Sequence, residues 1–178
     1  EITTYLIRKL KNLPTGANHA NEYHKTVLGV LELLFYPYLC NPRIEKEIHS
    51  GRKRIDITFD NCAESGFFYR LPNTHQIPSS IIMIECKNYT QDLKNPELDQ
   101  MAGRFGPNSG KVGMIICRKV QKMEDDIKRC QDTHKDDRGL IIPLVDDDLI
   151  KMLEDFPQKL EQSWENILQD KLHQVKID

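Results

Sequence analysis

One stretch decides the fold: Ile81-Ile-Met-Ile-Glu-Cys-Lys87. Four apolar residues lead into two charged residues that are spaced by one position, so both charges lie on the same side of a strand. Such a run is typical of a buried central strand whose end opens onto a polar site. Because an unpaired charge is costly inside a protein, Glu85 and Lys87 are the first candidates for a functional site.

Upstream of this stretch the sequence predicts a helix and an antiparallel hairpin. Residues 21–35 carry a broad apolar face, with Asn18 or Asn21 as the N-cap. Residues 44–48 and 54–60 both alternate in polarity around a turn, which is the hairpin pattern. A short third strand is predicted at residues 67–71, and a loop at residues 72–80.

Downstream of it, strands alternate with helices. We predict four helices, at residues 95–105 (with Asn95 as the N-cap), 121–130, 146 to about 154, and 158–175. Strands are predicted at residues 111–117 and 140–145. This order predicts the α/β class, with a mixed central β-sheet that has helices on both faces. The 178 residues match a single domain. Its core is expected at about 21–150 and a C-terminal helical extension at about 158–175.

Composition limits the classes of function. The net charge of −2 shows no basic excess, so a nucleic-acid partner must be met by a local patch. The longest apolar stretch, residues 27–39, is well short of the ~20 residues needed to cross a bilayer, so no membrane partner is expected. Five cysteines without a CxxC pair predict reduced thiols and a cytoplasmic location. The first residue is Glu, and we expect the chain to be part of a larger protein.

Two carboxylates near the end of the predicted central strand suggest a metal site. Asp56 on one strand and Glu85 and Lys87 on the next would share one face of the sheet. Carboxylate and carbonyl oxygens suit Mg²⁺, and a nearby ammonium group can orient an attacking water. Acid-x-Lys also occurs at Asp92 and at Asp126, but only Glu85 and Lys87 follow a buried strand.

These residues give the sequence its resemblance to the PD-(D/E)xK, restriction-endonuclease-like nuclease superfamily. The match consists of Arg54-Ile-Asp56, the run that ends in Glu85-Cys-Lys87-Asn88, and Gln100 on the following helix. The element order from about residue 21 to residue 117 is similar to the family core, and residues 139–148 are more loosely similar to the end of Mrr-like restriction domains. Ile55 replaces the proline of the family name, and 28 residues separate Asp56 from Glu85.

The resemblance implies roles for individual residues. The catalytic residues would be Asp56, Glu85, Lys87, Glu22 and Gln100. The ligands of Mg²⁺, for which Mn²⁺ can substitute, would be Asp56, Glu85, the backbone carbonyl of Cys86, and Glu22. Lys87 would position the attacking water.

Basic residues provide the candidates for nucleic-acid contact. They are Arg52, Lys53 and Arg54 at the predicted hairpin turn, together with Arg104 and Lys111. The hairpin cluster comes directly before Asp56, so it could hold phosphates near the metal. Solvated loop residues are the alternative for each of them.

The expected function is a Mg²⁺-dependent DNA endonuclease in restriction or phage defence. Cutting both strands needs two active sites, which favours a homodimer, and such domains are often fused or bound to a sensor or motor domain. Two alternatives stay open: a catalytically weak or inactive DNA-binding or assembly module with the same fold, and a nuclease for RNA or branched junctions. For single residues, Glu85 and Lys87 could be a surface ion pair, Asp56 could belong to an exposed hairpin, and Glu22 could serve the helix dipole. His24 could flank a site near Glu22.

Overall fold

A computed structural model describes residues 1–44 and 57–177. The helices and strands of this part of the chain are α1 (Ile2–Asn12), α2 (Ala20–Phe35), β1 (Leu39–Ile44), β2 (Ile57–Asn61), α3 (Gly66–Asn73), β3 (Ile81–Lys87), α4 (Asn95–Ala102), β4 (Val112–Cys117), α5 (Met123–Lys135), β5 (Leu140–Val145), α6 (Asp146–Lys159) and α7 (Gln162–Lys176). A short 3-10 helix, Ala17–His19, precedes α2. None of the described helices is both long and apolar enough to cross a membrane.

The five described strands form one mixed sheet in the order β1-β2-β3-β4-β5. β1, β2 and β3 pair antiparallel, whereas β3, β4 and β5 pair parallel. The parallel pairs follow from the helices α4 and α5, because a parallel connection needs a crossover. The predicted mixed α/β sheet with flanking helices is therefore confirmed, and β3 is its central strand.

The parallel strands are apolar because both of their faces are covered. Every residue of β4 is buried, and so is every residue of β5 except Val145. α4 lies especially close to β4, where a Cβ on Gly113 would collide with the sulfur of Met101. Gly113 pairs with Met83, which shares its side of β3 with Glu85. Helix α4 therefore covers the face of the sheet that carries Glu85.

The predicted strand at residues 67–71 is wrong, because this segment belongs to α3. Phe67, Phe68 and Leu71 are buried and share one side of the helix. The ring of Phe68 lies 5.5 Å from that of Trp164 on α7 and 5.2 Å from that of Phe35 on α2. Packing against distant aromatic residues decides the conformation here, which a five-residue pattern cannot reveal.

The hairpin is present as an antiparallel pair of β1 and β2. β1 covers Leu39–Ile44, so the first strand begins five residues before the predicted start at residue 44, and β2 covers Ile57–Asn61, one residue beyond the predicted end at residue 60. The remaining predicted residues, 45–56, lie outside the described part of the chain. β3 and β5 have the predicted bounds, and β4 is one residue shorter.

Several helix ends differ from the prediction. His19 and Lys94 occupy the N-cap positions of α2 and α4, so Asn18, Asn21 and Asn95 do not. α4 ends at residue 102, α5 extends to 135 and α6 to 159, and α7 begins at 162. α1 had no counterpart in the prediction. The ends depend on tertiary contacts, and they are the least constrained part of a sequence pattern.

The expectation of five reduced thiols is wrong for two of them. Cys40 and Cys62 form a disulfide with their Cα atoms 6.2 Å apart, inside the usual range for such a bond. Antiparallel pairing of β1 with β2 brings them together, and a count of cysteines does not contain that information. Cys86 and Cys117 are buried, as predicted, and neither belongs to a disulfide.

A buried polar network joins the C-terminal ends of β3, β4 and β5 to the N-terminal helices. Arg118 Nε donates to Asp146 Oδ2 at 2.6 Å, and Tyr23 Oη donates to Asp146 Oδ1 at 2.7 Å. Arg118 also donates to Asn88 Oδ1 and to the carbonyl oxygens of Leu10 and Leu13. Burial raises the pKa of Asp146, and the hydrogen bonds from Tyr23 and Arg118 oppose that rise. Arg118 is thus a structural residue.

Candidate active site

The structure brings Glu85 and Lys87 together on one side of β3. Lys87 Nζ donates to Glu85 Oε1 at 2.5 Å. The side chain of Glu85 is only 5% exposed and that of Lys87 is 20% exposed, so this is not a surface ion pair. A buried carboxylate is tolerated only with paired charge or a bound ligand, which makes this end of β3 the strongest candidate site.

Arg104 is the third charge at this site. Its Nη1 lies 3.6 Å from Glu85 Oε2, which is an ion-pair distance but too long for a good hydrogen bond. The side chain of Arg104 is 10% exposed. Glu85 Oε2 and both terminal nitrogens of Arg104 are buried and have no hydrogen-bond partner within the described chain. Three unsatisfied polar atoms therefore converge at one point.

The position of Arg104 follows from the close packing of α4. The helix ends at Ala102, and the backbone N–H of Arg104 donates to the carbonyl of Met101 at 3.0 Å. Met101 is the residue that packs onto Gly113 of β4. Arg104 therefore leaves the helix directly over the sheet, within reach of Glu85. The sequence named Arg104 as a nucleic-acid contact, with a solvated loop residue as the alternative, and the buried guanidinium excludes the solvated alternative.

From α2, His24 reaches the site instead of Glu22. His24 Nε2 lies 3.2 Å from the carbonyl oxygen of Cys86, and because a carbonyl can only accept, Nε2 is the donor. Glu22 is half exposed and pairs with Lys9 Nζ at 3.1 Å, next to Arg8 in a groove between α1 and α2. The hydrogen bond to Glu22 raises the pKa of Lys9. The structure therefore does not support Glu22 as a metal ligand beside Glu85.

Gln100 and Lys111 are not in contact with the charged pair. Gln100 lies half-buried on α4, one turn before Arg104, and makes no hydrogen bond to Glu85 or Lys87. Lys111 precedes β4 and donates to the carbonyl of Asp137 at 3.2 Å. Because β3 and β4 are parallel and Lys87 pairs with Cys117, Lys111 lies about 20 Å away, at the other end of the strands. Lys111 is therefore not part of the site around Glu85, and its contact with nucleic acid stays a prediction.

Four of the sequence candidates lie outside the described residues: Arg52, Lys53, Arg54 and Asp56. The structure places only their neighbour, Ile57, which pairs with Ile84 one position before Glu85. Arg43 on β1, which the sequence did not single out, is exposed and pairs with Thr58. Since Thr58 in turn pairs with Met83, Arg43 shares the side of the sheet that carries Glu85.

The described residues alone do not complete a metal centre. Within 1–44 and 57–177, no group of three or more His, Cys, Asp or Glu side chains is arranged to hold a metal ion. Glu85 Oε2 is the one orphaned carboxylate oxygen that belongs to the charged cluster of the described chain. Any ion at this site would need further ligands besides Glu85.

A pair of aspartates holds the loop that follows Lys87. Asp92 Oδ1 accepts from the backbone N–H groups of residues 121 and 122, and Asp126 Oδ1 accepts from Leu93 N at 2.9 Å. Burial raises the pKa of Asp126 to about 6. These contacts fix the path of the chain from the charged end of β3 into α4.

The chain matches no protein-family model, and comparisons with characterised proteins and with solved structures give no match either. The case for a function therefore rests on the sequence motif and on the geometry around Glu85.

Proposed function

We propose that this chain is a metal-dependent endonuclease domain of the PD-(D/E)xK type that hydrolyses DNA phosphodiester bonds. The observation that carries the proposal is the buried pair of Glu85 and Lys87, 2.5 Å apart at the end of the central strand. Glu85 Oε2, the carboxylate oxygen that Lys87 does not contact, has no hydrogen-bond partner in the described chain. That arrangement favours a site that binds a cation over a pair that only stabilises the fold.

The donor set is compatible with Mg²⁺ or Mn²⁺. Magnesium is commonly held by one or two carboxylates, with waters and phosphate oxygens completing its shell. We propose Glu85 and Asp56 as those carboxylates, since Ile57 enters β2 beside the residue that precedes Glu85. When bound, the ion would supply electrostatic stabilisation of the phosphate and would lower the pKa of a coordinated water.

The residues of the chain would have distinct tasks. Glu85 would hold the ion through Oε2, while Oε1 accepts from the ammonium group of Lys87 and keeps it in place. A lysine ammonium has three donors, and only one is used by Glu85, so the others can orient a water or a phosphate oxygen. His24 binds the Cys86 carbonyl and thereby fixes the backbone between Glu85 and Lys87. The backbone carbonyl of Cys86, which lies between Glu85 and Lys87, stays in the proposal as a third oxygen ligand.

A cleavage assay tests the proposal. Glu85→Gln and Lys87→Ala are each expected to lower Mg²⁺-dependent nicking of plasmid DNA by roughly 100-fold or more, which is typical of the loss of one electrostatic catalytic group. Lys128→Ala is the matched control, because Lys128 is exposed and ends another acid-x-Lys motif. Circular dichroism must show that all three variants fold. Cleavage by Lys87→Ala at the wild-type rate would refute the assignment.

A second candidate is a binding or assembly module with the same fold and little catalysis. It stays open because a fold does not by itself imply an activity. Calorimetry with Mg²⁺ and Mn²⁺ in the presence of DNA separates the two, because the module would bind DNA without a metal. The same preparation should be assayed on linear duplex, branched junction and RNA, since the site itself does not discriminate among phosphodiesters.

Restriction or phage defence is the biological setting that we propose for the nuclease. A homodimer would supply the two active sites needed for a double-strand break. A fused or bound sensor or motor domain would select the target, because the chain carries a net charge of −2 and therefore no overall basic excess.

A further inference from the structure

Arg104 is the charged residue of the site that the proposed chemistry leaves without a task. Its guanidinium is buried, its Nη1 lies 3.6 Å from Glu85 Oε2, and neither Nη1 nor Nη2 has a hydrogen-bond partner in the described chain. Buried arginine nitrogens normally bind oxygen atoms of carboxylates, carbonyls or phosphates. An unsatisfied guanidinium that faces an unsatisfied carboxylate oxygen therefore indicates that a ligand belongs between them.

The two orphaned groups require opposite partners. Glu85 Oε2 needs a cation or a donor, and the nitrogens of Arg104 need an acceptor. A metal ion alone satisfies the carboxylate but places two cations close together, because an ion within about 2 Å of Oε2 would also lie near Nη1. A phosphate alone satisfies Arg104 but leaves Oε2 facing another anion. A metal ion together with a phosphate oxygen satisfies all three atoms.

Lys87 strengthens this argument through the charge balance. Lys87 and Arg104 lie on different oxygens of the Glu85 carboxylate, so two cations flank the group that would hold the ion. Each of them repels an approaching divalent cation. An anionic phosphate that binds together with the cation offsets this electrostatic repulsion.

We propose that Arg104 couples metal binding to phosphate binding. Without a phosphate, Arg104 competes with the ion for Oε2 of Glu85, and with a phosphate it binds the non-bridging oxygens through Nη1 and Nη2. The ion is then held tightly only when substrate is present, and by linkage the substrate is held tightly only when the ion is present. This inference rests on the proposed nuclease function, and it adds to that function a residue that makes the two ligands interdependent.

The test measures metal binding and requires no cleavage. Mn²⁺ is titrated into the whole chain, alone and with an excess of dimethyl phosphate, which is a simple phosphodiester monoanion. The free ion is followed by electron paramagnetic resonance. For the wild type we expect dimethyl phosphate to tighten Mn²⁺ binding by at least roughly fivefold, the lower end of typical coupling factors.

The variant Arg104→Met should change the two titrations in opposite ways. Mn²⁺ alone should bind at least roughly fivefold more tightly than to the wild type, because a competing cation is gone, and dimethyl phosphate should no longer tighten it. Arg104→Lys keeps the charge and should retain the weak binding of Mn²⁺ alone. Arg138→Met is the matched control, since Arg138 also pairs with an acid of the α4 region, Asp99, but does not contact Glu85. It should behave as the wild type.

The outcomes distinguish a failure of this inference from a failure of the proposed function. If Arg104→Met binds Mn²⁺ alone no more tightly than the wild type does, or if it keeps the phosphate effect, Arg104 is a structural partner of Glu85 and the coupling is refuted while the nuclease proposal stands. If the folded wild type binds no Mn²⁺ under either condition, the proposed function is refuted and the coupling with it.

Discussion

Asp126 provides a pH-dependent test of how the loop between β3 and α4 is held. Its side chain is fully buried at the start of α5, where Oδ1 accepts from Leu93 N at 2.9 Å and Oδ2 has no hydrogen-bond partner among the described residues. Burial raises its pKa from the ordinary 3.8 to about 6. Because the folded chain disfavours the ionised form, ionisation of Asp126 lowers the free energy of unfolding.

The size of this effect follows from the two pKa values. The rise in pKa from 3.8 to about 6 corresponds to a loss of about 3 kcal/mol in the free energy of unfolding. The whole loss applies above the folded-state pKa of about 6, and none of it applies below the unfolded-state pKa of 3.8. Asp126→Asn removes the charge and keeps an acceptor for Leu93. We therefore expect this variant to be more stable than the wild type by up to about 3 kcal/mol near neutral pH. The ion pair with Arg129 Nη1, 3.5 Å away, opposes the rise in pKa, and the value of about 6 already includes it.

Urea denaturation at a series of pH values measures this difference. Trp164 is buried and is the only tryptophan, so its fluorescence reports unfolding directly. The stability of the variant should exceed that of the wild type above about pH 6 and should converge with it below about pH 4. Asp132→Asn, an exposed acid on the same helix, is the control for a general change of charge. The reasoning would be refuted if the difference in free energy of unfolding between variant and wild type did not vary with pH, or if the variant were the less stable of the two near neutral pH.

Two further predictions concern the framework of the site. Gly113→Ala should lower the free energy of unfolding by about 1–3 kcal/mol, because the added Cβ collides with the sulfur of Met101. Thermal unfolding measures this loss, and adding Met101→Ala to the same chain should restore part of it. Arg118→Met should lower the free energy of unfolding by about 3–5 kcal/mol, because Asp146 is left buried without its cation. Chemical denaturation of the variant measures this loss, and a loss below about 1 kcal/mol would contradict a structural role for Arg118.

The sequence was informative where one local pattern determined the outcome. The strand Ile81–Lys87 could be predicted because its apolar run is long enough to mark a buried strand, and the spacing of its two charges fixed their common side. α3 could not be predicted, because its five-residue apolar pattern fits a helix and a strand equally well. Contact with Trp164, almost a hundred residues later, decides between them.

The surroundings of Glu85 were harder to predict because they depend on contacts between distant elements. The burial of Arg104 requires the close approach of α4 to Gly113, and nothing near residue 104 in the sequence indicates it. The choice between Glu22 and His24 also needs the structure, since residues two apart on a helix point about 200° apart. The distance of Lys111 from the site follows from the parallel pairing of β3 with β4, which puts Lys111 and Lys87 at opposite ends of the strands.

The disulfide between Cys40 and Cys62 makes the polypeptide between them a closed covalent ring. The ring holds all of β2, most of β1, and the residues that the sequence nominates as a metal ligand and as phosphate contacts: Asp56, Arg52, Lys53 and Arg54. A backbone cut anywhere inside it leaves a single molecule, because both new ends stay attached through the sulfur atoms. A backbone cut between Asp56 and Cys62 would therefore leave Asp56 covalently joined to Glu85 and Lys87 only while the disulfide is intact.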